Sequence, residues 1–269
     1  MLFLLFLCLL CSCENSNTLP KPLAKAQGEY IYRLHDEYFF SAAPPQKTPL
    51  PTYPWEEGRT GNLPKITKEY FRCKGSSLNP PKTYNNKNDE VLKALDCNGS
   101  ARHSLPLRND KEFVYPIFLE LLNYLQAKTG KRVVITSGHR CPDHNTYVNP
   151  QDPYSKHQVC AEVSFYIQGL EDRPEQVIKH LQAFYTDNPK YKGLKEYLEF
   201  KRYDKPSDTY MHPWFNKEIF IKLYSKKEGR NFDNRHPYPY LSLQVRYDRD
   251  LNAKVIYDWR LANQNYQRR

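Results

Sequence analysis

Two polar stretches carry the residue types that could do chemistry. The first is Ser137-Gly-His-Arg140-Cys-Pro-Asp-His-Asn145, and the second is Ser155-Lys-His157-Gln-Val-Cys160-Ala-Glu162-Val-Ser164. An Arg fork can grip a terminal carboxylate through two parallel N–H donors. A hydroxyl such as that of Ser155 adds one more donor. Arg140 and Ser155 are therefore candidate ligand-binding residues, with an exposed strand-end Arg and a polar turn as the plainer readings. Other chemistries lack their residues. There is no GxSxG and no HExxH, and with only 10 Gly in the chain a phosphate cradle is not expected.

In order and spacing, and in the helix that precedes them, these stretches resemble the SGYRSPxHN and SxHxxGxAxD motifs of the zinc D-Ala-D-Ala carboxypeptidases and dipeptidases. That family shares its fold with the Hedgehog signalling domain. The motifs span residues 137–164 and their context about 110–246. The resemblance implies metal-assisted hydrolysis: a His, an Asp and a second His hold zinc, a fourth position takes water, and a carboxylate removes the water's proton. Carried over by position, Arg140 takes the place of the substrate-contacting Arg, and Ser155 and His157 match. Cys160 stands where the family has Gly, Glu162 where it has Ala, and Ser164 where it has the metal-ligating Asp. On the late strand Tyr240-Leu-Ser242-Leu-Gln-Val-Arg246, Ser242 stands where the second His is expected. His236-Pro-Tyr-Pro-Tyr-Leu241 before it offers no carboxylate for the base. His157 is thus the one family ligand retained. Glu162 and Ser164, two apart on a strand, share a face, so Glu162 with His212 or His236 is the set from which a metal site could be rebuilt, and His139 and His144 are further candidates. The expectation is a degenerate site with no catalytic residue and no resident cofactor, zinc entering only if the site is rebuilt.

The elements that must position these stretches read as follows. Asn109 and Glu112 stand in capping-box spacing, and Val114, Ile117, Phe118, Leu121, Leu122 and Leu125 form one apolar stripe, which predicts a helix over 110–128 closed by Gly130. Arg132–Thr136 and Ala161–Tyr166 read as strands joined by a polar loop. A helix from Pro174 buries Val177, Ile178, Leu181 and Phe184, and Glu218–Tyr224 and Tyr240–Arg246 alternate like two further strands. Strands and helices mix without regular βαβ units, so the expected class is α+β: a small antiparallel sheet flanked by helices, Hedgehog/DD-peptidase-like, behind an extended N-terminal tether.

The chain has 269 residues and a formal charge of +10. Aromatic residues make up 14% of it, too many for a disordered chain. Residues 1–12 form an apolar run too short to span a bilayer, which needs ~20 residues, and they read as a secretory segment. Leu10-Cys-Ser-Cys13 resembles a bacterial lipobox, which makes Cys13 the expected lipidation site. The expected divisions are signal 1–12, Pro-rich tether 13–64, DD-peptidase-like domain 65–250 and basic tail 251–269. Cys73, Cys97, Cys141 and Cys160 remain; an even number in an exported chain reads as disulfides with three possible connectivities. Strand proximity favours Cys141–Cys160, with Cys73–Cys97 as the second pair. The absence of a CxxC pair argues against a zinc knuckle.

The expected protein is a cell-envelope lipoprotein, anchored by lipid in the outer membrane and facing the periplasm. Its expected role is to bind a peptidoglycan stem peptide or an envelope protein, and not nucleic acid. An active carboxypeptidase with unusual ligands and a structural surface-interaction lipoprotein are the alternatives.

Overall fold

The computed structural model describes residues 59–269 except 87, 153, 229–230, 259–261, 263–265 and 267–269. The apolar leader, Cys13 and most of the tether lie outside the described residues. Three small hairpins come first: β1 (Arg59–Thr60) with β2 (Leu63–Pro64), β3 (Lys82–Asn85) with β4 (Val91–Ala94), and β5 (Leu107–Arg108) with β6 (Lys111–Glu112). Helix α1 (Pro116–Thr129), strand β7 (Val133–Ser137), helix α2 (Pro142–Val148), strand β8 (Glu162–Ile167), helix α3 (Pro174–Asp187) and the single turn α4 (Lys195–Leu198) follow. The chain closes with β9 (Lys201–Arg202), β10 (Trp214–Phe215), β11 (Ile219–Tyr224), β12 (Tyr240–Val245) and the hairpin β13 (Tyr247–Asp248) with β14 (Ala253–Lys254).

Six strands build one antiparallel sheet in the order β7-β8-β12-β11-β10-β9. Because side chains alternate across a strand, one face presents Val163, Phe165, Ile219, Ile221, Leu223, Leu241, Leu243 and Val245. These pack with Phe118, Leu121, Leu122 and Leu125 of α1 and with Val177, Ile178 and Leu181 of α3 into the main core. The class is thus mixed α+β, with α1 and α3 on one face of an antiparallel sheet. The opposite face is polar, and the register lines its residues up in rows. Ser137, Ser164, Ser242 and Lys222 sit opposite one another across β7, β8, β12 and β11. A bulge at Thr136, between Ile135 and Ser137, brings Ser137 into that row. Both edges of the sheet are occupied or short. On β7 the Val133 N–H donates to Gln126 Oε1 at 3.2 Å and the Ile135 carbonyl accepts from Lys74 Nζ. The far edge strand β9 has two exposed, charged residues.

Several expectations change. Asn109 and Asp110 do not cap a helix: both have positive φ, 50° and 58°, and turn the β5–β6 hairpin. Glu112 instead pairs with Arg72, and α1 starts at Pro116, whose fixed φ and missing N–H suit a first turn. The polar loop after β7 contains α2, capped by Cys141, which also has Pro at its first position. Residues 59–64, assigned to the tether, form β1–β2 beside α1, where Asn123 Nδ2 donates to the Ile66 carbonyl and Asn123 Oδ1 accepts the Ile66 N–H, both at 2.8 Å. Part of the tail is ordered too: Val255 and Tyr257 pack on the core, and Tyr257 donates to the Val245 carbonyl at 2.5 Å. Among the described residues no helix is long and apolar enough to cross a membrane.

Candidate functional site

The polar face gathers the residues that the two motifs single out. His157 follows Ser155, which caps a short turn by accepting the His157 N–H at 3.4 Å. The His157 Nδ1–H donates to the Gly138 carbonyl at 2.7 Å, which leaves Nε2 as the lone-pair nitrogen, 3.4 Å from Ser164 Oγ. A metal-binding imidazole is held in the same way, one nitrogen fixed by a carbonyl and the other aimed into the site. Burial first, and the Arg140 charge second, push the His157 imidazole down to about 4, so it is neutral at physiological pH. Ser242, directly opposite Ser164, donates to Glu162, and Gln244 Nε2 donates to the same carboxylate oxygen at 3.1 Å. Burial opposes ionisation of Glu162, but His157, Lys222 and these two bonds hold its carboxyl at about 2. Two hydroxyls therefore stand where the resemblance implies a carboxylate and an imidazole.

Arg140 is already engaged. Its Nε donates to Ser137 Oγ and to Asp233 Oδ2, both at 2.8 Å, and the residue is 3% exposed. Asp233 Oδ1 also meets His144 Nε2 at 3.0 Å, and His144 Nδ1 lies 2.6 Å from Asp96 Oδ1. Burial works against charge on His144, yet the two carboxylates raise it to about 9. This chain of Ser137, Arg140, Asp233, His144 and Asp96 locks the Ser137–Asn145 stretch from inside. Arg140 is a buried anchor here rather than an open carboxylate fork, although its Nη2 has no partner among the described residues. Neither Asp96 nor Asp233 was singled out in the sequence; no motif marks them, and they reach the site from loops 48 and 89 residues away from His144.

Open space lies next to the row. A cleft of about 610 Å³ is floored by Phe220, Lys222, Gln244 and Arg246 and walled by Lys156, Tyr203 and Tyr257. Its lining holds the cations Lys156, Lys217, Lys222, Arg246 and Lys254 against the single carboxylate Asp208. Lys156 Nζ donates to Gln244 Oε1 at 2.5 Å, and Lys222 pairs with Asp208 at 2.7 Å. Burial lowers both Lys156 and Arg246 from their ordinary values. A cleft with this surplus of cations favours an anionic ligand.

The remaining candidates lie elsewhere. His212 is exposed and donates through Nδ1 to the Tyr203 carbonyl at 2.9 Å. His236 stacks on Tyr238 and tilts against Tyr166. Among the described residues, no set of three ligand atoms gathers around His157, so Glu162, His212 and His236 do not form a rebuilt site. His139 is buried edge-on against His103 and Tyr266. The four described cysteines are free thiols. The Cys141–Cys160 pairing is not formed: Cys160 turns the chain at φ 55° into the main core, and Cys141 packs in a separate cluster with Cys73 and Cys97. Cys73 and Cys97 are neighbours, with sulfurs 3.6 Å apart, but they are not bonded. No family model matches the chain, and comparison with curated proteins and with solved structures likewise returns no match.

Proposed function

We propose that this chain is a catalytically lapsed relative of the zinc D-Ala-D-Ala carboxypeptidases, retained as a binding module for carboxylate-bearing peptides such as peptidoglycan stem peptides. On this reading it is held in the cell envelope by a lipid on Cys13. The observation that carries the proposal is the row beside His157. Ser164 and Ser242 face each other in register, and the His157 Nε2 points at Ser164, so three positions converge but offer one metal ligand. A catalytic zinc needs three protein ligands to stay bound and to lower the pKa of its water. Hydroxyls in two of those places support binding without hydrolysis. The ligand's carboxylate is assigned to the cationic cleft, because Arg140 is buried against Asp233, whereas the open cleft carries five cations against one carboxylate.

Titration with a stem peptide ending in D-Ala-D-Ala tests this reading. Saturable binding without release of D-Ala is expected. A charge-assisted contact contributes about 1.5–3 kcal/mol, so Lys222→Ala or amidation of the peptide terminus should weaken binding about tenfold or more. Release of D-Ala that disappears in His157→Ala would make the protein an enzyme. Equal binding of the amidated peptide would remove the carboxylate from the recognition.

A further inference from the structure

We propose that Cys73, Cys97, His103 and Cys141 form a structural zinc site, separate from the polar face of the sheet. Three separate parts of the chain supply the ligands: Cys73 after the turn Lys68–Phe71, Cys97 and His103 on either side of the turn Gly99–Ala101, and Cys141 at the cap of α2. Their ligand atoms all lie within 4.8 Å of one another. The Cys73 and Cys97 sulfurs are 3.6 Å apart, and Cys97 Sγ is 3.6 Å from His103 Nε2. A tetrahedral zinc with bonds of about 2.3 Å to sulfur and about 2.0–2.1 Å to nitrogen requires separations of roughly 3.8 Å between sulfurs and roughly 3.6 Å between sulfur and nitrogen. The cluster is therefore spaced for the ion.

The surroundings fit the same ion. The His103 Nδ1–H donates to the Ser104 carbonyl at 3.0 Å, which leaves Nε2 as the ligating lone pair. Backbone N–H groups reach two of the sulfurs: Gly99 N–H to Cys97 Sγ at 3.2 Å and His144 N–H to Cys141 Sγ at 3.4 Å. Such donors favour thiolates. Two glycines let the loops close in. A Cβ on Gly75 would lie 2.1 Å from Cys97 Sγ, and one on Gly99 would lie 2.7 Å from the Gly75 carbonyl oxygen. A disulfide is the competing chemistry. It would join two of the three cysteines and leave the third, with His103, without a role, whereas zinc uses all four groups. Three thiolates and one imidazole in a closed tetrahedron suit zinc, and with no position left for water the site is structural. Binding releases three protons to solvent in total, one each from Cys73 and Cys141 and the one that Cys97 Sγ and His103 Nε2 share between them, and leaves three thiolates and a neutral imidazole on the ion.

Elemental analysis of the purified full chain, with variants, tests the site. About one zinc per chain is expected, near zero in Cys97→Ser and Cys141→Ser, and unchanged in His157→Ala. If the serine variants fail to fold, cobalt replaces zinc in the wild-type chain, and thiolate-to-cobalt charge-transfer absorption is the expected result. Metal that is lost with His157 but kept in the cysteine variants would overturn the proposal. So would cobalt binding without thiolate bands, or a disulfide between any two of Cys73, Cys97 and Cys141 found by non-reducing peptide mapping.

Discussion

Asp233 holds three side chains at once. One oxygen accepts from Arg140 at 2.8 Å and from Ser137 at 2.7 Å, the other meets His144 at 3.0 Å, and its side chain is 3% exposed. Burial opposes its charge, but Arg140 and His144 keep the carboxyl well below the usual carboxylate range. Removing that charge leaves a buried guanidinium unpaired, a loss of about 3–5 kcal/mol. Asp233→Ala should therefore lower unfolding free energy by that amount in urea melts, and a change below about 1 kcal/mol would show that Arg140 finds another partner. The serine row gives a second prediction. Ser164→Asp with Ser242→His should create a further metal equivalent on top of any at the cysteine cluster, because the two positions oppose each other in register beside His157. Competition titration of metal against a chelator reads it. No gain in stoichiometry would mean that the three positions do not converge as ligands.

At the level of elements, Gly138 shows how a motif residue is explained by packing. A Cβ there would stand 2.5 Å from the Phe71 carbonyl oxygen, while the next N–H, that of His139, donates to the same oxygen at 2.7 Å. Gly138→Ala should cost about 1–3 kcal/mol through forced backbone separation, seen as a lower denaturation midpoint. Glu112 is a second joint, bonded to Arg72 at 2.8 and 2.9 Å and to Lys68 at 3.1 Å. The Arg72 bond, against burial, lowers its carboxyl to about 2. A depressed carboxyl contributes stability above its unfolded value near 4.3, and the contribution disappears as pH falls toward about 2. The melting temperature should drop over that window, and Glu112→Gln should flatten the drop; an unchanged profile would exclude this pair. These joints also explain what was legible. The strands and the α3 helix follow hydrophobic period, so Val177, Ile178, Leu181 and Phe184 are buried as their spacing implies. The capping-box reading of Asn109 failed because Asn-Asp suits a tight hairpin turn as well as a cap. Helix α2 was hidden because its polar residues face a buried hydrogen-bond network rather than an apolar core. His157, Ser164 and Ser242 were legible as a group by motif spacing, whereas the thiol cluster was not, since only tertiary structure brings Cys73 and Cys141 to the sequence-local pair Cys97 and His103.

Among the described residues, α1 and α3 close one face of the sheet, and the polar face carries the serine row with the cationic cleft beside it. Strand β12 is buried along its entire length, including Ser242 and Gln244, although its alternating sequence reads as half-exposed. The edges of the sheet have a different consequence. An open strand edge is a template on which another chain can add itself, the first step toward β-aggregates. On β7 that template is blocked by side chains, Gln126 on the Val133 N–H and Lys74 on the Ile135 carbonyl, and on the far side β9 is two charged residues long. Little open edge is thereby left on which a second copy could add a strand. Lys74→Ala should uncover one edge carbonyl and raise thioflavin-positive aggregation on mild heating, while Lys201→Ala, at the short edge, should change it much less. Equal aggregation of the two variants would mean that the Lys74 ammonium is not what keeps neighbouring chains from docking strand to strand.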